Sequence, residues 1–411
     1  MNCLCEVPSP SRRAFLIAGG ALFAWAHLPK LALAANPRDP RLIVIILRGA
    51  LDGLSAVAPV GDPAYGSLHG QLALSLTGDH PALPLDGFFA LNPAMPVFAR
   101  LYKDGHAAVV HATATAYRER SHFDGQDVLE SGYPKPGSVE SGWLNRALEA
   151  LPQGDRISAK GGLAVGPSTP LIMRGAAPIL GWSPQHMAAA SDDLAARVMD
   201  LYAHSDPVLE AALAKGLETE KMAERDGMGN LAGQRKGPNP ATGMRLAAEG
   251  AAKLMAADDG PRVAALAFDG WDTHANEGGA TGRLAQLLGG LDGAFEAFER
   301  GLGPHWSDTA IVAITEFGRT ARINGTTGTD HGTATVAFLV GGAVKGGRVI
   351  ADWPGLKDAQ LYEGRDLKPT TDLRAVLKGL LADQFGFPAA VLGERVFPQS
   401  ASVAPMRGLL A

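Results

Sequence analysis

The sequence predicts an α/β protein whose strands form a buried, parallel sheet. Five short, predominantly apolar runs have the composition of strands covered on both faces: residues 41–47, 107–112, 262–268, 310–314 and 333–340. Segments with helical spacing of apolar residues lie between them, at residues 91–103, 123–129 and 284–302. Four of the runs are followed by polar segments. Ligands bind outside the carboxyl ends of the strands in open α/β sheets, so we expect a site in these segments.

The first 34 residues have the features of a twin-arginine export signal. Ser11, Arg12 and Arg13 precede an apolar segment at residues 16–28, and small residues at 32–34 form a cleavage site. The apolar segment is shorter than the roughly 20 residues of a membrane-spanning helix. We therefore expect residues 1–34 to be a signal peptide and the protein to be periplasmic or secreted. Residues 35–411 are expected to form one α/β domain, with a largely helical insertion at about 137–260.

The composition limits the partners of the protein. The formal net charge is −5, and this acidic balance argues against nucleic acid or anionic lipid as the main partner. The two cysteines, Cys3 and Cys5, lie inside the expected signal peptide, so we expect no disulfide in the exported protein. No further apolar segment is long enough to span a membrane.

Acidic and imidazole side chains follow three of the predicted strands. Asp52 comes after the first strand, where an ordinary Asp-Gly turn is the alternative to a ligand. Asp272 and His274 follow a later strand and are two residues apart, so in an extended segment both side chains point the same way and can hold one metal ion. A solvated turn is the alternative for this pair. Glu316 follows the next strand almost directly.

A polar loop with a serine at its end follows the strand predicted at residues 107–112. Ser121 lies at the start of the helix predicted at 123–129, where free backbone amides favour an anion or a developing alkoxide. Ser121 is therefore a candidate nucleophile, and a plain N-cap serine is the alternative. Arg120 and His122 flank this serine and are candidates for binding an anionic substrate.

A second polar segment, rich in Gly and Thr, carries the pair Asp330 and His331. Both are candidate metal ligands, because carboxylate oxygens and imidazole nitrogens are common ligands of divalent metals. Arg319 lies between this pair and Glu316 in the sequence. Its guanidinium group either binds an anionic substrate or covers the loop.

Together these residues predict a divalent metal centre at one edge of the sheet. The ligands expected are Asp52, Asp272, His274, Glu316, Asp330 and His331, and the metal expected is Zn²⁺, Mn²⁺ or Mg²⁺, as one ion or two. Two ions about 4 Å apart would clamp a phosphoryl or sulfuryl group and would activate a serine hydroxyl as a nucleophile.

The order of motifs resembles a known family. The twin-arginine signal, LRGALDGL, RSHFDGQD, GWDTH, TEFGRT and GTDHG resemble the exported bacterial family called domain of unknown function 1501. That family is similar in fold to the alkaline phosphatase superfamily, which includes sulfatases, phosphopentomutases and cofactor-independent phosphoglycerate mutases. The resemblance implies a three-layer α/β/α sandwich with metals at the carboxyl edge of the sheet.

The resemblance also implies roles for individual residues. Asp52 matches the metal-binding aspartate of the first strand, and Ser121 matches the nucleophile after the second strand. Asp272 and His274 match the ligands of one metal, although the superfamily usually separates them by four positions. Two placements compete for the strand-end Asp-His-Gly motif of the superfamily. The letters favour residues 330–332, whereas the position directly after a strand favours residues 316–318.

We prefer the second placement because strand position constrains geometry more than local letters do. Glu316 then replaces the usual aspartate, and His331 becomes the late histidine ligand. Phe317 stands where the superfamily has a histidine, so one metal site would lack an imidazole.

Two functions of different classes follow. The first is a metal-dependent hydrolase that acts on the phosphate or sulfate group of a small anionic ester or a decorated polymer. The second is a catalytically degenerate member of the superfamily that binds a ligand or a secreted protein without turnover. Phe317 and the short spacing of Asp272 and His274 favour the second function, and the number of intact polar strand ends favours the first.

Overall fold

The computed structural model describes residues 38–137, 139–151, 161–184, 198–199, 202, 207–225 and 240–411. The signal peptide predicted for residues 1–34 lies outside the described residues. From Pro40 onward the described residues belong to one compact unit.

A nine-stranded sheet forms the centre of the protein, and a small three-stranded sheet lies beside it. The order in the large sheet is β11-β5-β10-β9-β1-β8-β6-β7, and β12 also pairs with β5. The small sheet has the order β2-β4-β3. The strands are β1 (Arg41–Arg48), β2 (Val57–Ala58), β3 (Leu83–Pro84), β4 (Ala90–Leu91), β5 (Ala107–Ala114), β6 (Gly162–Val165), β7 (Ile179–Trp182), β8 (Val263–Asp269), β9 (Thr309–Ile314), β10 (Thr335–Val340), β11 (Arg348–Ile350) and β12 (Thr371–Asp372).

Helices connect most of these strands. They are α1 (Gly53–Ala56), α2 (Tyr65–His69), α3 (Pro96–Lys103), α4 (His122–Ser131), α5 (Trp143–Ala150), α6 (Pro207–Arg225), α7 (Pro240–Ala256), α8 (Arg283–Leu302), α9 (Leu373–Phe385) and α10 (Ala389–Val391). Among the described residues, no helix is both long and apolar enough to cross a membrane.

The two faces of the sheet are both covered by helices. Along β1, Ile43 and Ile45 pack into one apolar core, whereas Val44 packs into another. The first core receives residues of α3, α7 and α8, and the second receives residues of α4, α5 and α9. The sheet is therefore the middle of three layers, which confirms the predicted α/β/α sandwich and explains why its central strands are predominantly apolar.

One strand of the large sheet, β10, runs against its neighbours. It pairs antiparallel with both β5 and β9, whereas β1 pairs parallel with β8 and β9. The amino end of β10 therefore lies at the same edge as the carboxyl ends of β1, β5, β8 and β9. This direction places the residues that precede β10 beside the residues that follow the other strands.

The region predicted to be a largely helical insertion also contributes strands. Within residues 137–260, β6 and β7 pair parallel with each other, and β6 continues the large sheet next to β8. Helices α5, α6 and α7 lie in the described part of the same region. The two strands are only four residues long, which is short for a periodicity signal.

The carboxylate of Asp292 in α8 caps the first turn of α3. It accepts hydrogen bonds from the backbone N–H groups of Val97 (2.9 Å) and Phe98 (2.7 Å), and Met95 supplies no side-chain cap of its own. We expect Asp292→Ala to lower the free energy of unfolding by about 1–2 kcal/mol in urea titrations. Asp104→Ala, at the exposed other end of α3, is the control and should change it by less than about 0.5 kcal/mol. Equal changes in the free energy of unfolding of the two variants would show that the Asp292 cap contributes nothing to stability.

Candidate metal centre

His122 begins helix α4, and its imidazole ring is anchored by Glu316. Its Nδ1 donates to Glu316 Oε1 at 2.8 Å, because a carboxylate oxygen can only accept. This hydrogen bond raises the pKa of His122 above its ordinary value. When the ring is neutral, as a metal ligand must be, this hydrogen bond keeps the proton on Nδ1 and the lone pair on Nε2. The Nε2 atom is buried without a hydrogen-bond partner and lies 3.5 Å from Asp272 Oδ2.

Glu316 is fully buried directly after β9 and is held by several donors. Its Oε1 also accepts from the Gly49 backbone N–H at 2.9 Å and from Gln126 Nε2 at 3.2 Å, and its Oε2 accepts from the Thr315 hydroxyl at 2.9 Å. Burial opposes ionisation, but the hydrogen bonds led by that of His122 outweigh it, so the pKa of Glu316 lies below its ordinary value. Glu316 was predicted to be a metal ligand; the structure instead places it behind the candidate ligand His122.

Asp272 and His331 complete a group with His122. One ligand atom from each of these three side chains lies within 4.8 Å of the other two. The Nδ1 of His331 donates to the backbone carbonyl of Arg120 at 2.9 Å, which leaves the Nε2 lone pair of the neutral ring facing Asp272 Oδ1 at 3.6 Å. Burial, and next the charge of His122, lower the pKa of His331 and favour this neutral ring.

His274 extends this group on its exposed side. Its Nε2 lies 3.0 Å from Asp272 Oδ1 and 2.9 Å from His331 Nε2. Its Nδ1 lies 3.3 Å from Asp330 Oδ1, which also accepts from Asn324. Asp330, a predicted ligand, therefore lies on the Nδ1 side of His274, but it is exposed, whereas the Glu316 carboxylate that contacts His122 is buried.

The arrangement fits a divalent metal ion. The three imidazole rings each have Nδ1 beside an oxygen acceptor, so each neutral ring presents the lone pair of Nε2 toward Asp272. Imidazole nitrogens with one carboxylate are typical ligands of Zn²⁺ or Mn²⁺, whereas Mg²⁺ prefers oxygen ligands alone. Within the described part of the chain, this is the one group of acidic and imidazole side chains close enough to hold an ion.

Arg319 was predicted to bind substrate, but its guanidinium group is used inside the protein. The side chain is fully buried. Its Nη1 donates to Asp272 Oδ1 at 2.8 Å, and its other nitrogens donate to the hydroxyl and the carbonyl of Thr329. Asp272 is therefore held as a carboxylate, and its pKa lies below the ordinary value because these interactions outweigh its burial. Arg319 positions a candidate ligand.

Asp52 was predicted to be a ligand and lies outside the group. It is buried, and its Oδ1 accepts from the backbone N–H groups of Leu54 and Ser55 at the start of α1. Its Oδ2 lies 3.1 Å from Nε2 of the buried His69. A carboxylate after a strand can cap the next helix as readily as it can bind a metal, and here it does the former.

A buried chain of polar groups nevertheless links Asp52 to Asp272. Burial and then the charge of Asp52 raise the pKa of Glu277 well above its ordinary value, which favours a protonated Glu277 carboxyl that can donate to Asp52. Thr329 donates to the second oxygen of Glu277 at 2.6 Å and accepts from Arg319 at 3.1 Å. Because Arg319 donates to Asp272, this chain of polar groups connects the end of the first strand to the candidate metal centre.

The remaining predicted residues lie around the centre. Ser121 is the residue before α4, but its side chain makes no capping hydrogen bond, and its backbone N–H donates to the Tyr117 hydroxyl at 3.2 Å. The Arg120 side chain, predicted to bind substrate, pairs with Asp366. Phe317 is buried and stacks on the His122 ring at 5.0 Å between centroids.

Several of these residues could not be found in the sequence alone. His122 was predicted to bind substrate, and its partner Glu316 is 194 positions away. Glu277 and Asp366 follow no recognisable motif, and only their burial in the folded protein distinguishes them from surface acids.

One family model matches most of the sequence. The model described as "Protein of unknown function (DUF1501)" matches residues 39–396. No curated protein was found to match the sequence. The solved structures that are similar include Ps i-CgsB, with 12% identity and a TM-score of 0.40 over 89% of this chain and 77% of that chain. Phosphonate monoester hydrolase of Agrobacterium radiobacter has 11% identity and a TM-score of 0.36, over 89% and 78%. The C-terminal periplasmic domain of EcEptC from Escherichia coli, a complex with Zn, has 10% identity and a TM-score of 0.35, over 74% and 72%.

Proposed function

Since this chain belongs to the DUF1501 family, whose description assigns no activity, we propose its function from the metal centre: it is an exported, metal-dependent hydrolase of phosphate or sulfate esters. The observation that carries the proposal is the convergence of three anchored imidazole rings on one carboxylate. His122, Asp272 and His331 are the proposed ligands, and His274 is the proposed fourth. The substrate class is a small anionic ester or a decorated polymer, met in the periplasm or outside the cell.

The metal would supply a positive charge that polarises an oxygen of the bound ester. Ser121 is the proposed nucleophile. Its Oγ would bond to the phosphorus or sulfur atom while the bond to the alcohol oxygen breaks, and the serine proton would go to the departing alcohol. The oxygen of a water molecule would then bond to the same atom while the bond to Oγ breaks, and a proton of that water would return to Oγ as the anion leaves. The hydroxyl is suited to this role because it precedes the candidate ligand His122 and is not used to cap α4. The amino end of α4 favours the negative charge that develops there.

The test of this proposal is Ser121→Ala. We expect hydrolysis of 4-nitrophenyl phosphate or 4-nitrocatechol sulfate by the metal-loaded protein to fall by at least about 100-fold, because the nucleophile is lost. Metal affinity should change less than about twofold, since Ser121 is not a proposed ligand. Ser307→Ala is the control, because Ser307 is an exposed serine that is distant from Ser121 in the sequence. Hydrolysis that persists in Ser121→Ala would place the nucleophile elsewhere.

One observation favours the second function, a metal-binding module without turnover. Arg319 and Arg120, the arginines expected to bind an anionic group, direct their guanidinium groups to Asp272 and Asp366. If the wild-type protein and Ser121→Ala both retain metal and hydrolyse neither ester, this result would support the second function over the first.

A further inference from the structure

Arg120 has a backbone conformation that its side chain does not favour. Its φ of +62° lies in the left-handed region, which is costly for residues other than glycine. Such conformations persist only where the surrounding structure enforces them, and they cluster at functional sites. Arg120 directly precedes Ser121 and His122, so this conformation sets how the chain enters α4.

The left-handed conformation aims the Arg120 carbonyl group at a proposed ligand. This carbonyl accepts from His331 Nδ1 at 2.9 Å. Because a carbonyl can only accept, it keeps the proton of the neutral ring on Nδ1 and leaves Nε2 free for the metal. A change in the backbone at Arg120 would turn this acceptor away from His331.

Asp366 holds Arg120 in place through its side chain. Its Oδ2 accepts from Arg120 Nε at 2.9 Å and from Arg120 Nη2 at 2.7 Å. Asp366 is fully buried, whereas Glu363, the other carboxylate that contacts Arg120, has a side chain that is 55% exposed. A buried, charge-assisted pair holds its geometry more firmly than a pair screened by solvent.

Asp366 also contacts the segment around His331. It accepts from the Thr333 hydroxyl at 2.8 Å and from Arg365 Nε at 2.9 Å. Arg365 in turn donates to the backbone carbonyl of His331. Asp366 therefore connects the two chain segments whose hydrogen bond fixes the His331 ring.

We propose that Asp366 is a positioning residue of the metal centre: it holds Arg120 in the left-handed conformation, and the Arg120 carbonyl thereby fixes the tautomer of His331. This proposal rests on the proposed function, because it assigns His331 to the metal. The loop that carries Asp366 lies far from the proposed ligands in sequence and contains none of them.

The experiment compares glycine and alanine at position 120 when Asp366 is absent. We expect Asp366→Ala to weaken Zn²⁺ affinity about 10–100-fold, as is typical when an outer-shell partner is lost. Adding Arg120→Gly should restore affinity to within about threefold of the wild type, because glycine adopts a positive φ without an ion pair to Asp366. Adding Arg120→Ala should not restore it. Glu363→Ala alone should leave affinity within about twofold, because its side chain is exposed.

A second readout does not depend on metal. In the metal-free protein, nitrogen-15 NMR of the histidine rings should show a protected His331 Nδ1–H in the wild type and in Asp366→Ala/Arg120→Gly. The protected Nδ1–H signal of His331 should be lost in Asp366→Ala and in Asp366→Ala/Arg120→Ala. Circular dichroism should show that all variants are folded. Equal behaviour of the two double variants, or retention of the Nδ1–H in Asp366→Ala, would overturn the proposal. A wild type that binds neither Zn²⁺ nor Mn²⁺ would refute the proposed function, and the NMR comparison would still decide whether Asp366 fixes the tautomer of His331.

Discussion

Asp272→Ala is expected to weaken Zn²⁺ affinity by more than about 100-fold, beyond the loss typical of an outer-shell partner. Asp272 is the carboxylate on which His122 and His331 converge, and it supplies the negative charge of the group. Its loss also leaves the buried guanidinium of Arg319 without its acidic partner, so a positive charge would face the ion. Both effects oppose binding of a cation.

Competition with a chromophoric chelator measures this affinity. Asp330→Ala is the matched control, since Asp330 is also an acid near the centre but faces the Nδ1 of His274 and not an Nε2 atom. We expect its loss of affinity to be at most about tenfold, at the low end for an outer-shell residue. Equal losses in the two variants would contradict the assignment of Asp272 as the central ligand.

Glu316→Gln is expected to weaken Zn²⁺ affinity about 10–100-fold, although Glu316 does not belong to the group of ligands. Glutamine keeps the size of the side chain but removes the charge that orients His122 and makes its ring a better donor to a metal. Glu299 forms an ion pair with Arg100 at the surface. Glu299→Gln is therefore the control and should leave the Zn²⁺ affinity unchanged. A normal affinity in Glu316→Gln would mean that the carboxylate does not orient His122.

The same substitution should change the pH dependence of stability. The folded pKa of Glu316 is depressed below 4.5, so its carboxylate contributes stability above that value and loses the contribution as pH falls through the depressed pKa. Glu316→Gln should therefore be less stable than the wild type at neutral pH, and the difference should shrink as the pH falls below 4.5 in denaturant titrations. A difference that stays constant with pH would contradict this explanation.

The parts of the fold that could be predicted are those that a local pattern determines. The apolar runs at β1, β5, β8 and β9 are read directly from the sequence because strands buried on both faces contain few polar residues. The apolar run that predicts β10 does not reveal that this strand is antiparallel to its neighbours. That direction is what brings His331, which precedes its strand, to the edge where the other strands end.

The candidate site was predictable in place but not in detail. Asp272 and His331 were found because polar residues at strand ends are visible in the sequence. The roles of Glu316 and Asp52 were not, because a buried carboxylate at a strand end can bind a metal, orient a histidine or cap a helix, and only its partners decide between these. Those partners, His122 for Glu316 and His69 for Asp52, come from other parts of the chain.

The most direct test of the account is the metal content of the wild-type protein, folded and exported in its native host. We expect about one equivalent of Zn²⁺ or Mn²⁺ per chain, as for a single centre of imidazole and carboxylate ligands. The metal should be lost when His122 and His331 are both replaced by alanine. Less than about half an equivalent in the wild type, or the same content in the double variant, would contradict the metal centre.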